Sequence, residues 1–164
     1  QGRCSAGLAV VFATDSPYIK IQAEGDLSYR AKNTMYLASN GFDLYIRDGK
    51  DWLWAGACGP DLKDSSKPQV LVENMAPGMK ECLMYLPIYV ELTSVKIITA
   101  DGSTIKPIES PFRHRVAIFG SSYTHGISTS RAGMSYPDQF TRHTGIQLLS
   151  LGCSGNCKMQ PYYL

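Results

Sequence analysis

The feature that most constrains this chain is a strand–helix–strand pattern between residues 115 and 152. Residues 115–119 form a compact apolar run, expected to be a buried strand, that ends at Gly120. Residues 136–143 read as a helix, with Tyr136, Phe140 and His143 recurring at helical spacing. Ser135 is placed to cap it, Pro137 to occupy its first position and Gly145 to end it. Residues 146–151 are a second apolar strand, closed by Gly152. Two strands joined by a helix through such tight connections form a βαβ unit, and therefore a parallel sheet. Parallel sheets carry helices on their faces and neighbouring strands at their edges. A doubly wound domain takes on the order of 100 residues or more. The α/β segment here runs only from 111 to 164, so it is expected to be incomplete.

Residues 1–110 have a different texture: short apolar runs separated by turn residues at fairly regular spacing, the pattern of an antiparallel, jelly-roll-like sandwich. The expected strands are 8–14, 18–23, 42–47, 52–56, 70–73, 81–86 and 95–99. Alternation puts Ile19, Ile21 and Ala23 on one face, and Leu44 and Ile46 opposite Asp43, Tyr45 and Arg47. Asp48-Gly49 marks a hairpin, where glycine tolerates a positive φ, and Asp101-Gly102 marks a second turn. No amphipathic helix stands out in this half. Pro107, Glu109-Ser110 and Pro111 read as a linker, giving two domains, 1–110 and 111–164. Trp52 and Trp54 flank Leu53 and should share one side of a strand. Buried, they belong to the core or to the contact with the following domain, which is favoured; exposed, they would stack on sugar rings.

Bulk properties exclude several function classes. The formal net charge is +2, with no Lys/Arg cluster, so nothing resembles the basic face of a nucleic-acid binder. No apolar run approaches the roughly 20 residues of a membrane-spanning helix. The five cysteines are too few for a disulfide scaffold, although one or two bridges or simple buried thiols both fit the count. Cys153 and Cys157 lie four apart with no further ligand pair to complete a tetrahedral site, so no metal is expected, and no cofactor is implied.

Chemistry is expected in two loops. Gly120-Ser121-Ser122-Tyr123-Thr124-His125-Gly126 follows the first parallel strand, and ligands of open α/β sheets bind beyond the carboxyl ends of the strands. A hydroxyl there would be exposed on a rigid scaffold. The plainer alternative is a serine-rich loop that only caps a helix. Gly152-Cys153-Ser154-Gly155-Asn156-Cys157 follows the second strand and should reach the same sheet edge, where a glycine N–H could help bind an oxyanion. Its alternative is an ordinary glycine-rich turn.

Taken together, these motifs resemble the SGNH/GDSL hydrolases. The Gly120–Gly126 string is similar to their first block, in which the serine before an apolar-Thr-x-Gly stretch is the nucleophile. Arg131-Ala132-Gly133-Met134-Ser135-Tyr136-Pro137 and Leu151-Gly152-Cys153-Ser154-Gly155-Asn156 resemble the next stretch and the second block of a bacterial, carbohydrate-esterase-like branch. In that branch a β-sandwich with a Gly-x-Asp-Leu-Tyr motif precedes the hydrolase, matched by Gly41-Phe42-Asp43-Leu44-Tyr45. Tyr85-Leu86-Pro87-Ile88-Tyr89 and Arg3-Cys4-Ser5-Ala6-Gly7-Leu8 match further strings of it.

The resemblance implies a β-sandwich followed by the start of a flavodoxin-like α/β hydrolase. Ser122 corresponds to the nucleophile, and the N–H groups of Gly155 and Ser122 to oxyanion donors. The implied substrate is an acylated carbohydrate or other small ester, and the implied location is periplasmic or extracellular. The family's third-block Asn has no counterpart here (Asn156 is not at that position), and no Asp-x-x-His string occurs. Serine needs a base. The histidines are His114, expected in the linker, His125 on the nucleophile loop, and His143 near a helix C-terminus. Of these His125 is nearest Ser122, but so close a sequence neighbour rarely points its ring at the hydroxyl. The rival reading is a non-catalytic glycan-binding or docking sandwich with a truncated hydrolase tail.

Overall fold

The computed structural model describes residues 3–28, 33–158 and 161. Eight strands, β1 (Ala9–Thr14), β2 (Ile19–Asp26), β3 (Phe42–Asp48), β4 (Asp51–Cys58), β5 (Gln69–Val72), β6 (Lys80–Tyr85), β7 (Glu91–Ile98) and β8 (Ile105–Pro107), make up the first part, with one short helix, α1 (Tyr36–Ser39). They form a five-stranded sheet in the order β4-β3-β6-β1-β8 and a three-stranded sheet in the order β5-β2-β7, and every pairing is antiparallel.

The expected alternation builds the core between these sheets. Ile19, Ile21 and Ala23 of β2 meet Phe12, Phe42, Leu44, Cys82 and Met84 of the larger sheet, with Leu71 beside them. Each fully buried aliphatic side chain contributes roughly 2 kcal/mol by leaving water. Asp48 pairs with Asp51 across the β3–β4 hairpin, and Gly49 adopts φ 58° in its turn. The Asp101-Gly102 turn is closed by Ser103 N–H donating to Ala100 O.

The larger sheet is buried on its other face too. Tyr45, Leu83 and Tyr85 cluster there with Ala38, Ile88 and Ala132, the last of which lies in the second part of the chain. Strands alternate faces, so β3 sends Phe42 and Leu44 into the sandwich while Asp43 and Tyr45 face the neighbouring segment.

That segment contains β9 (His114–Gly120), α2 (Ser122–His125), a 3₁₀ turn (Ala132–Met134), α3 (Tyr136–Thr144) and β10 (Ile146–Gly152). β9 and β10 pair in parallel, from His114↔Ile146 to Gly120↔Gly152, as the βαβ reading requires. Ser135 caps α3: its hydroxyl accepts the Asp138 N–H and donates to the Asp138 carboxylate, a reciprocal cap. Gly145 ends the helix, its N–H returning to Thr141 O.

Several expectations need correction. Residues 115–119 were expected to be a buried strand, yet Val116 is 49% and Phe119 58% exposed. The reason is that β9 and β10 form a sheet of two, with no further described strand alongside. His114 is the first residue of β9, not part of a linker. Pro137 sits second in α3, and Tyr136 and Phe140 face outward while Pro137, Asp138 and Thr141 are buried. β8 and α1, at three and four residues, were not anticipated.

Candidate active site

The parallel register brings the two candidate loops to one edge of the β9–β10 sheet. Gly120 and Gly152 are partners at its end, and the Cys153 N–H donates to Gly120 O at 2.8 Å, tying one loop to the other. Ser122 opens α2 immediately beyond this edge and is partly exposed. Its hydroxyl makes no side-chain hydrogen bond to a described residue. Beyond β10 the chain turns at Cys153–Asn156, closed by Asn156 N–H to Cys153 O at 3.0 Å. Gly155 lies within that turn at φ 78°, a conformation that side chains resist, and is exposed. Neither the Ser122 nor the Gly155 N–H donates to another described backbone group.

The approach of the loops is close. A Cβ on Gly152 would fall 2.2 Å from the His125 nitrogen, and one on Gly120 would strike the Thr124 side chain. Ser150 Oγ donates to Thr124 O at 2.7 Å, fastening α2 across the end of β10.

His125 is not positioned as a base. It is 3% exposed, its Nδ1 lies 2.8 Å from Gly152 O, and its Nε2 lies 3.0 Å from Ile88 O. Carbonyl oxygens only accept, so both ring nitrogens are directed at backbone acceptors and neither faces the Ser122 hydroxyl. The ring stacks on Tyr89, centroid to centroid 4.4 Å, and the Tyr89 hydroxyl lies 3.1 Å from Ser154 Oγ. His143 lies in the last turn of α3.

The Gly41–Tyr45 motif forms the contact between the two parts. Asp43 is fully buried. One carboxylate oxygen accepts from Trp54 Nε1 (2.9 Å) and Arg131 Nε (3.2 Å); the other accepts from the Gly133 N–H (3.0 Å). Burial pushes the Asp43 carboxyl above its ordinary range, and Arg131 with these hydrogen bonds pulls against it. Arg131 also lies over the Trp54 ring at 4.7 Å, and Arg142 over the Tyr45 ring at 3.9 Å. The tryptophans therefore belong to the contact: Trp52 packs against the Tyr45 cluster, and Trp54, although 55% exposed, is held by Asp43 and Arg131. Arg142 lies in no motif, and the strings that hold Arg131, Gly133 and Tyr89 give no sign of their partners, which only the fold reveals.

Among the described residues no cluster of His, Cys, Asp and Glu could hold a metal ion, and no helix is long and apolar enough to cross a membrane. All five cysteines are unpaired; burial pushes the Cys58 and Cys82 thiols up to about 12, so both are inert core groups.

A β-sandwich locked through a Gly-x-Asp-Leu-Tyr strand onto the opening of a parallel α/β sheet defines a class, and the comparisons agree with it. The GxDLY family, "N-terminus of Esterase_SGNH_hydro-type", matches residues 1–105, and the "GDSL-like Lipase/Acylhydrolase family" matches residues 113–163. The chain belongs to this family of SGNH-hydrolase-type esterases with a GxDLY N-terminal domain. A crystal structure designated a GDSL-like lipase, from Bacteroides ovatus ATCC 8483, is 41% identical over 95% of this chain and 46% of its own, with a TM-score of 0.90. The salicylyl-acyltransferase SsfX3 from a tetracycline biosynthetic pathway is 22% identical, covering 91% of this chain and 40% of its own, at a TM-score of 0.68. A family two carbohydrate esterase from Clostridium thermocellum, solved with cellohexaose, is 12% identical over 93% of this chain and 46% of its own, at a TM-score of 0.62. These last two share the fold. The chain spans about half the length of the structures it matches. No curated protein matches it.

Proposed function

We propose that this chain is the front part of a serine ester hydrolase in which Ser122 is the nucleophile and the Ser122 and Gly155 amides form two donors of the oxyanion hole. The observation that supports the reading is the parallel β9–β10 register, which brings the Ser122 and Gly155 loops to one sheet edge. The Ser122 hydroxyl attacks the ester carbonyl while a base takes its proton, and the carbonyl oxygen gains negative charge as the tetrahedral intermediate forms. N–H donors aimed at that oxygen are commonly worth about 3 kcal/mol each. The alcohol then leaves with a proton, and water releases the acyl group from Ser122 by the reverse sequence.

The base in this reading comes from the part of the hydrolase fold that this chain does not span, since His125 points elsewhere. The substrate we favour is an acetyl or other short acyl ester on a carbohydrate. Its support is the shared fold of carbohydrate esterases, one of them solved with cellohexaose. A periplasmic or extracellular site of action goes with such a substrate. The test is hydrolysis of an aryl acetate and an acetylated oligosaccharide by the full-length protein beside Ser122→Ala. The reading requires the variant to lose at least a thousandfold in kcat; equal rates would exclude Ser122.

A further inference from the structure

The sandwich does more than sit beside the candidate site. The turn after β6, Pro87–Val90, reaches both catalytic loops from outside the α/β segment. Ile88 O receives His125 Nε2 at 3.0 Å, and His125 lies three residues after Ser122. His125 Nδ1 meets Gly152 O at 2.8 Å, at the root of the second loop. The Tyr89 ring stacks on the His125 imidazole at 4.4 Å and an interplanar angle of 18°. Its hydroxyl lies 3.1 Å from Ser154 Oγ, and Ser154 directly precedes Gly155. One tyrosine of the sandwich thus touches the loop of the proposed nucleophile through its ring and the loop of the proposed oxyanion donor through its hydroxyl.

We propose that Tyr89 is a positioning residue for the ester hydrolase site, fixing the Gly155 amide relative to Ser122 through Ser154 and His125. This rests on the function proposed above. The physical need is plain. The Cys153–Asn156 turn is half-buried except at the exposed Gly155 and is tied to the sheet by the Cys153 N–H, and an oxyanion donor acts only when it is placed before the charge develops. A misplacement of about 1 Å can cost on the order of a hundredfold in rate. The Tyr89–Ser154 contact fastens the turn at the residue next to the amide that matters. It also gives the β-sandwich a part in catalysis, and the Tyr85–Tyr89 string a role beyond packing.

The test uses the full-length protein with Tyr89→Phe, Ser154→Ala, Ser154→Thr and the Tyr89→Phe/Ser154→Ala double variant. Tyr89→Phe keeps the ring stacked on His125, so the fold survives. Rates on an aryl acetate are expressed per site titrated with a fluorophosphonate, which removes any unfolded fraction. Tyr89→Phe and Ser154→Ala should each lower kcat roughly tenfold with KM within about twofold, because the lost placement acts on the transition state. The double variant should fall no further than either single, and Ser154→Thr, which keeps the hydroxyl, should recover most of the rate. Unchanged kcat per titrated site in both singles, or losses that multiply in the double, would overturn the proposal. Ser122→Ala run alongside separates the two ideas: if it abolishes activity while Tyr89→Phe does not matter, only the positioning role fails; if Ser122→Ala retains activity, the hydrolase reading fails first.

Discussion

The buried carboxylate of Asp43 accepts a 3.0 Å hydrogen bond from the backbone N–H of Gly133, a residue 90 positions later in the chain. This bond, with those from Arg131 and Trp54, gives the Gly-x-Asp-Leu-Tyr strand its structural meaning: it is the lock between the sandwich and the α/β segment. Gly133 must be glycine, since a Cβ would fall 2.7 Å from the Tyr85 ring, 2.9 Å from the Tyr45 ring and 3.0 Å from the Asp43 carboxylate. Gly133→Ala should cost about 2 kcal/mol or more. Asp43→Ala, which leaves a buried N–H and a partly buried guanidinium unpaired, should cost about 3 kcal/mol or more. Urea denaturation measures both; losses under about 0.5 kcal/mol would show that the lock does not hold the two parts together.

Asp138 predicts a pH dependence of stability. Its carboxyl is completely enclosed, and burial pushes it up to about 7, against the pull of the Ser135 hydroxyl and Arg142. A value raised above the ordinary 3.8 means that the folded state keeps a proton the unfolded chain gives up. The resulting stabilisation is fully present below the ordinary value and is lost as pH rises toward 7. Asp43, raised in the same direction, adds to the trend. Urea midpoints of the wild-type protein should therefore fall from pH 4 to pH 8, and Asp138→Asn should flatten that fall. A wild-type midpoint that rises over this window, or an identical slope in the variant, would contradict the assignment.

The meeting of the two loops makes its own prediction. Gly152→Ala places a methyl group 2.2 Å from the His125 backbone nitrogen, where no side-chain rotation relieves the clash. It should destabilise the protein by about 3 kcal/mol or more. In thermal unfolding it should melt well below the wild type, and a melting temperature within two degrees would mean that the loops lie farther apart than described.

Much of the fold could be read from the residues. Period-two alternation marked Ile19, Ile21 and Ala23 as one buried face, and cap chemistry at Ser135 and Gly145 bounded α3. β8 escaped notice because three residues ending in proline carry no period, and α1 because four residues complete barely one turn. The loops of Ser122 and Gly155 were legible because strand ends and glycines are local signals. The lock was only half legible. The strings around Asp43 and Arg131-Ala132-Gly133 each stood out by resemblance, but they lie some 90 residues apart and nothing local pairs one with the other. Val116 and Phe119 were read as buried because their composition suits a sheet covered on both faces, and here that sheet has two strands.

The central claim is that the hydroxyl of Ser122 is the reacting group. Treating the full-length protein with a fluorophosphonate and mapping the adduct by peptide mass spectrometry tests it most directly. The account predicts one phosphonyl group per molecule on Ser122, with esterase activity lost in step. Complete labelling at another residue, or full activity with Ser122 modified, would contradict it.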